Sequence, residues 1–265
     1  MLHILMGRAR SGKSERVLRE IKTLGDRSKQ ILLVPEHASH VAEVDVCTMC
    51  GDTASRHAEV LTFKLLAQRV LSVCGGAADV TLDNGGKLLT LQRSLQELAP
   101  SLSVYRRPSQ RAAFLESLLT VMEELQAYAV PPETLLEKVA DMEGESGDKL
   151  RDIALIYGVY LAKLHTDDRD ARDRLQKLEE NLEASHYIDG KDVFLDGFSY
   201  FTGRELNILR IMLQRANSVT VTLLGDKKDI ELFAESLRVR ERLTALAKKV
   251  GTAYDEETLP SGEVR

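Results

Sequence analysis

A chain of 265 residues with 43% hydrophobic and 29% charged residues can bury a sizeable core, as one large domain or as a domain carrying an insertion. No 18 apolar residues run together, so no membrane span is expected, and a net charge of -5 argues against a surface coated in basic residues for nucleic acid. Three cysteines, Cys47, Cys50 and Cys74, cannot build a disulfide framework and suit a reducing compartment.

Met1 leads straight into the apolar run "LHILM" (2–6), which reads as a first buried strand rather than a signal peptide, so a cytoplasmic protein is expected. Directly after it, Gly7-Arg8-Ala9-Arg10-Ser11-Gly12-Lys13-Ser14 fits G-x-x-x-x-G-K-[ST] at every required position. By average residue usage such a match arises by chance in roughly one chain of this size in a hundred. A helical pattern follows, with Val17, Leu18, Ile21 and Leu24 on one face and a stop at Gly25. Glycines let the backbone curl so that its N–H groups converge on a phosphate at a helix N-terminus. In that arrangement Lys13 reaches the β- and γ-phosphates and Ser14 offers its hydroxyl to Mg²⁺. A glycine-rich turn with an exposed lysine is the plainer alternative.

The runs "ILLV" (31–34) and "VLTF" (60–63) continue the strand pattern, and continuous apolar runs of this length fit a parallel sheet buried on both faces. Between them "CTMC" (47–50) has redox or half-zinc spacing, but no second Cys or His pair stands at metal-finger distance. Charge is uneven: residues 1–76 hold 11 Lys and Arg against 8 Asp and Glu, and the remainder 25 against 33. The phosphate-loop end is the basic end, as nucleotide or DNA phosphates nearby would require and as an ordinary solvated surface also allows.

From about Thr81 to Ser185 strand signals vanish. Helical spacing repeats in Leu88, Leu91, Leu95 and Leu98, again in Leu115, Leu118, Met122 and Leu125, and again from Leu150 to Leu164. The chain therefore reads as an α/β domain, residues 1–80 and 186–265, interrupted by an all-helical insertion, residues 81–185. "EGESGDK" (143–149) is the expected exposed loop. "YRRPSQR" (105–111) offers DNA the guanidinium groups of Arg106, Arg107 and Arg111 beside the ring of Tyr105; arginines solvated between helices are the competing account.

"DVFLDGF" (192–198) restores the strand signal and ends on Asp196, placed to hold Mg²⁺ across from the phosphate loop. Hydrolysing ATPases commonly follow this Asp with a Glu that orients water; here Gly197 follows, and losing a general base costs about 10²- to 10⁴-fold in rate. Nucleotide binding with little turnover is expected. Thr202 and Glu205 have capping-box spacing, which accounts for Glu205 structurally. "VTVTLLG" (219–225) is the last strand signal.

These pieces in this order resemble the N-terminal part of the B subunit of bacterial ATP-dependent helicase/nuclease complexes, the AddB or RexB-like family. The matching stretches are "GRARSGKS", "ILLVPEHAS", "EVLTFKLLAQRV", "KLRDIALIYGVYLAKL" and "VFLDGFSYFTGRELNIL", and D-G-F-x-x-F-T in place of a D-E motif is the most specific. The resemblance implies a P-loop NTPase fold, the RecA-like 1A lobe of a superfamily-1 helicase with a helical 1B-type insertion. It also implies ATP and Mg²⁺ as ligands, a motor subunit of the AddAB type and DNA as partners, and a place in double-strand break repair and recombination. The family's second lobe and its nuclease domain with iron-sulfur cysteines lie beyond this length, so no cluster is expected here and the chain looks like an N-terminal fragment or a truncated form. Three positions depart from the family: His37 stands where Gln is usual, Gly203 where Pro is frequent, and "LLGDKKD" (223–229) ends in Asp229 where a coupling motif of related helicases has Gln. A P-loop kinase acting on a small acceptor, and an interaction module that binds no nucleotide in isolation, are the alternative functions.

Overall fold

The computed structural model describes residues 1–51, 53–75, 82–106, 112–166, 174–226 and 229–260. The chain divides into two compact units, Met1–Gly75 with Lys177–Arg265, and Gly76–Gln176.

The first unit is α/β. Six parallel strands, β1 (Leu2–Gly7), β2 (Gln30–Leu33), β3 (Ala58–Leu61), β4 (Asp192–Leu195), β5 (Ser218–Leu224) and β6 (Tyr254–Thr258), form one sheet in the order β3-β2-β4-β5-β1-β6. β2 and β4 are buried at every residue, which is why their sequences read as unbroken apolar runs instead of alternating ones. Helix α1 (Lys13–Leu24) buries Val17, Leu18 and Ile21 on the sheet and ends at Gly25, whose positive φ of 49° and N–H bond to the Ile21 carbonyl close its last turn. Helices α2 (Ser39–Cys50) and α3 (Phe63–Cys74) follow β2 and β3, α3 being capped by the Thr62 hydroxyl, which accepts from the Leu65 N–H. Val17, Leu18, Ile21, Leu32, Val46, Ala58 and Phe194 form one core of this layer.

The second unit is helical among its described residues: α4 (Asn84–Leu98), α5 (Ala112–Ala127), α6 (Pro132–Val139) and α7 (Gly144–Thr166). Leu91, Leu95, Leu118, Met122, Ile156 and Tyr160 form its core. Asp152 is buried and its carboxylate accepts the N–H groups of Ser103, Val104 and Tyr105 at 3.0, 2.8 and 2.9 Å. The expected loop at 143–149 is instead the start of α7. Its charges pair at helical spacing, Glu145 with Lys149 at 2.6 Å and Asp148 with Arg151 at 2.8 Å, and that support turns a glycine-rich, charged stretch into a helical turn.

Chain returning to the sheet unit forms α8 (Arg174–Leu182), α9 (Gly203–Arg215) and α10 (Ala234–Lys249). Glu179 of α8 holds Arg204 and Asn207 of α9 at 2.9 Å each, so the buried guanidinium has its counter-charge. β6 carries no apolar run: it is Tyr-Asp-Glu-Glu-Thr, exposed throughout. Its place is set by β1, through the Leu2 N–H on the Ala253 carbonyl and the Leu259 N–H on the Met6 carbonyl.

Candidate functional site

The eight residues Gly7 to Ser14 occupy the turn between β1 and α1, at the carboxyl end of the sheet. The Gly7 carbonyl accepts the Gly225 N–H at 3.1 Å, stitching the end of β1 to the segment after β5. The loop then curls back. The Ser11 N–H bonds the Arg8 carbonyl at 3.2 Å, Arg10 and Gly12 take positive φ of 58° and 85°, and a Cβ on Gly7 would sit 2.3 Å from the Ser11 hydroxyl. Glycine is therefore required at 7 by space and favoured at 12 by conformation. No side chain caps α1, whose first helical bond runs from the Arg16 N–H to the Gly12 carbonyl. Its leading N–H groups and the positive end of its dipole face the curl, and Ser14 is exposed there.

Lys13 turns into the curl. Its ammonium donates to the carbonyls of Gly7 and Arg8, both at 2.8 Å, and to the Ser11 hydroxyl at 3.5 Å. Burial lowers its pKa from the ordinary lysine value, and the Asp196 carboxylate opposes that shift. Asp196 follows β4, its N–H bonded to the Leu33 carbonyl at 3.0 Å, and it accepts the Thr222 hydroxyl of β5 at 2.5 Å. The structure thus brings Lys13 and Asp196 into electrostatic reach across 183 residues of sequence. After Asp196 the backbone turns at Gly197 with φ of 82°, where a side chain would be strained and would meet Pro35.

One set of residues gave no sequence signal as a unit. Arg8, inside the phosphate-loop motif, pairs with Asp226 at 2.6 Å and with Asp229, and its guanidinium stands 5.9 Å from the Phe233 ring centre. Asp226 and Asp229 belong to the "GDKKD" stretch, so the carboxylates of that stretch neutralise a cation of the loop. Nothing local marks a pairing across 218 residues.

Beside Asp196, Phe198 stacks on Phe201 with centroids 5.2 Å apart and meets Phe63 edge-on at 5.6 Å, tying the D-G-F-x-x-F-T run to the start of α3. Tyr200 between them is 60% exposed, and His37 is exposed in a short turn after β2. Thr202 and Glu205 make both halves of a capping box, with the Glu205 carboxylate 2.8 Å from the Thr202 N–H, so that carboxylate is already committed to the start of α9.

Of the residues expected at DNA, Arg107 and Arg111 lie outside the described residues. Arg106 is exposed, while Tyr105 is half-buried and its ring packs on Phe114, centroids 5.2 Å apart. Both belong to the helical unit. Cys47, Cys50 and Cys74 are free thiols, and among the described residues no three His, Cys, Asp or Glu gather as a metal site. No helix of the described residues is long and apolar enough to cross a membrane.

Residues 4–265 match the family model described as "ADDB, N-terminal". The chain is 30% identical over 263 residues to the ATP-dependent helicase/deoxyribonuclease B subunit of Clostridioides difficile (strain 630), covering 94% of this chain and 23% of that protein. The like-named protein of Clostridium perfringens (strain 13 / Type A) is 31% identical over 262 residues, 96% of this chain and 23% of its own length. That of Desulforamulus reducens is 34% identical over 233 residues, 85% of this chain and 20% of its own. The chain spans less than a quarter of the length of these curated relatives.

Proposed function

The chain belongs to the AddB N-terminal family, and from that premise we propose that it is the nucleotide-holding part of one chain of an ATP-dependent helicase/deoxyribonuclease, able to bind Mg²⁺·ATP and slow to hydrolyse it. In this reading the sheet unit is a P-loop NTPase lobe of RecA-like, superfamily-1 type, and the helical unit is its 1B-type insertion. The observation that carries it is Lys13. A half-buried ammonium held only by neutral carbonyl and hydroxyl oxygens, beside uncapped helix N–H groups and opposite a carboxylate, is a cation awaiting a better acceptor.

A polyphosphate entering the curl takes the bonds that Gly7 and Arg8 now supply to Lys13, and the N–H groups of Gly12, Lys13 and Ser14 orient it. Arg10 and Ala9 contribute backbone to the cradle. The Ser14 hydroxyl and Asp196 form an oxygen donor set of the hard kind that Mg²⁺ takes, with Thr222 fixing one oxygen of Asp196. The ion supplies charge neutralisation at the phosphates. Gly197 supplies no base, and Glu205 is held in its cap, so water at the γ-phosphate has no protein group here to take its proton. Pairing with a motor subunit of the AddAB type, contact with DNA and a role in double-strand break repair and recombination belong to the same proposal, supported by the names of the relatives.

Titrating fluorescent ATP with Mg²⁺ into the chain and into Asp196→Asn tests this reading. Saturable binding that loses its Mg²⁺ dependence in the variant is the expected result. Equal affinity with and without Mg²⁺ in the unsubstituted chain would overturn the metal assignment.

A further inference from the structure

The sheet ends in two unlike edges. β6 is exposed throughout and carries Asp255, Glu256 and Glu257, charges that discourage strand addition. β3, the opposite edge, is half-buried and lies in a groove. Bonds from the Gln30 N–H to the His57 carbonyl at 2.7 Å and from the Val34 N–H to the Leu61 carbonyl at 3.0 Å fix its parallel register on β2. Alternation then turns the N–H and C=O of Ala58 and Val60 away from β2. No backbone bond reaches them among the described residues.

A cavity of about 620 Å³ opens along this edge, flanked by α2 at Val46 and by α3 at Arg69. Lys29, Arg56, Arg69 and Lys191 line it, against Glu43 and Glu59. Glu59 is already engaged, by the Tyr187 hydroxyl at 3.2 Å and by Arg69 at 3.5 Å. Lys191 stands 3.5 Å over the Tyr187 ring, and burial lowers its pKa. Two further polar atoms of the lining, the Gln30 side-chain oxygen and His57 Nε2, are buried without a partner.

We propose that the β3 edge docks an extended acidic peptide segment of a partner protein, which adds as a strand beside Val60 with its carboxylates against Lys29, Arg56, Arg69 and Lys191. An outward-facing N–H and C=O at strand spacing asks for a partner with both donors and acceptors, which a peptide backbone has and a phosphodiester backbone lacks. The excess of lysine and arginine sets the sign of its side chains. This surface is independent of the nucleotide reading, because it lies along the edge of the sheet and shares no residue with the phosphate loop.

The test is fluorescence anisotropy with a labelled synthetic peptide of alternating valine and glutamate, with its valine–lysine counterpart and a single-stranded oligonucleotide as competitors. Saturable binding of the glutamate peptide is expected, weakened at least about tenfold by Arg69→Glu and by Val60→Pro. Proline at 60 removes an N–H that faces away from β2, so the ladder of the sheet is kept; Arg69→Glu gives an answer even if that variant fails to fold. Hydrogen exchange at the Val60 amide should slow with peptide bound. Equal binding of the lysine peptide, unchanged exchange at Val60, displacement by the oligonucleotide, or no binding at all would each overturn the proposal.

Discussion

Lys13 in the sheet unit and Asp152 in the helical unit are both charged side chains folded onto main-chain atoms, and they differ in how well those atoms satisfy them. Asp152 is 2% exposed and receives three N–H groups, the number that neutralises a buried carboxylate and anchors the backbone of 103–105. Lys13 is half-buried and its ammonium has only neutral oxygens at hydrogen-bond distance, so desolvation disfavours its charge. A fully served charge is a structural staple. An under-served one beside uncapped helix N–H groups is poised for a ligand.

Removing each group should therefore damage different properties. Asp152→Ala strands three buried N–H groups and should destabilise the helical unit by about 3–5 kcal/mol, read as a shifted urea midpoint, with ATP affinity unchanged. Loss of ATP affinity in that variant would erase the distinction. Gly7→Val puts a branched side chain against Ser11, and an overpacked loop of this kind should cost about 1–3 kcal/mol and abolish nucleotide binding together. Arg8→Ala releases Asp226 and Asp229 from partly exposed ion pairs, so stability should change by less than about 1 kcal/mol. Amide exchange at 229–233 should nevertheless quicken, and unchanged exchange there would mean that Arg8 does not hold that segment.

Smallest is the effect expected at Tyr160, whose buried hydroxyl has no partner. Burial raises its pKa, so the folded chain holds this proton at pH values where the unfolded chain has released it. The stability tied to it is present below the ordinary tyrosine value and is lost as pH rises above about 10. Tyr160→Phe should shift stability at pH 7 by no more than about 0.5 kcal/mol and make its alkaline decline shallower, by urea unfolding across pH. A steeper decline in the variant would reverse the assigned sign.

How much of this was legible in the sequence follows from how local each constraint is. The phosphate loop could be read because its eight residues are contiguous and the backbone curl dictates glycine at fixed positions. Asp196 could be read because a strand places its last residue at the sheet's edge. The clamp of Asp226 and Asp229 on Arg8 could not, since only the adjacency of β1 and β5 creates it. β6 was missed for a related reason. Asp and Glu are poor strand formers, and its conformation comes from pairing with β1 rather than from its own side chains. The start of α7 was misread because glycine and charge signal a loop until Glu145 and Lys149 are seen four residues apart on one face. Tyr105 looked available to a nucleic-acid base only while Phe114, nine residues on, was not known to cover it.

The central claim is that the cation of the phosphate loop is held ready for a polyphosphate and that no base follows to hydrolyse it. Titration calorimetry of the chain with Mg²⁺·ATP, beside Lys13→Ala and with the cell contents assayed for ADP, tests it most directly. The account predicts saturable binding, weakened about 100-fold or more in Lys13→Ala by the loss of charged hydrogen bonds, with ATP recovered intact. Rapid ADP formation, or binding indifferent to Lys13, would contradict it.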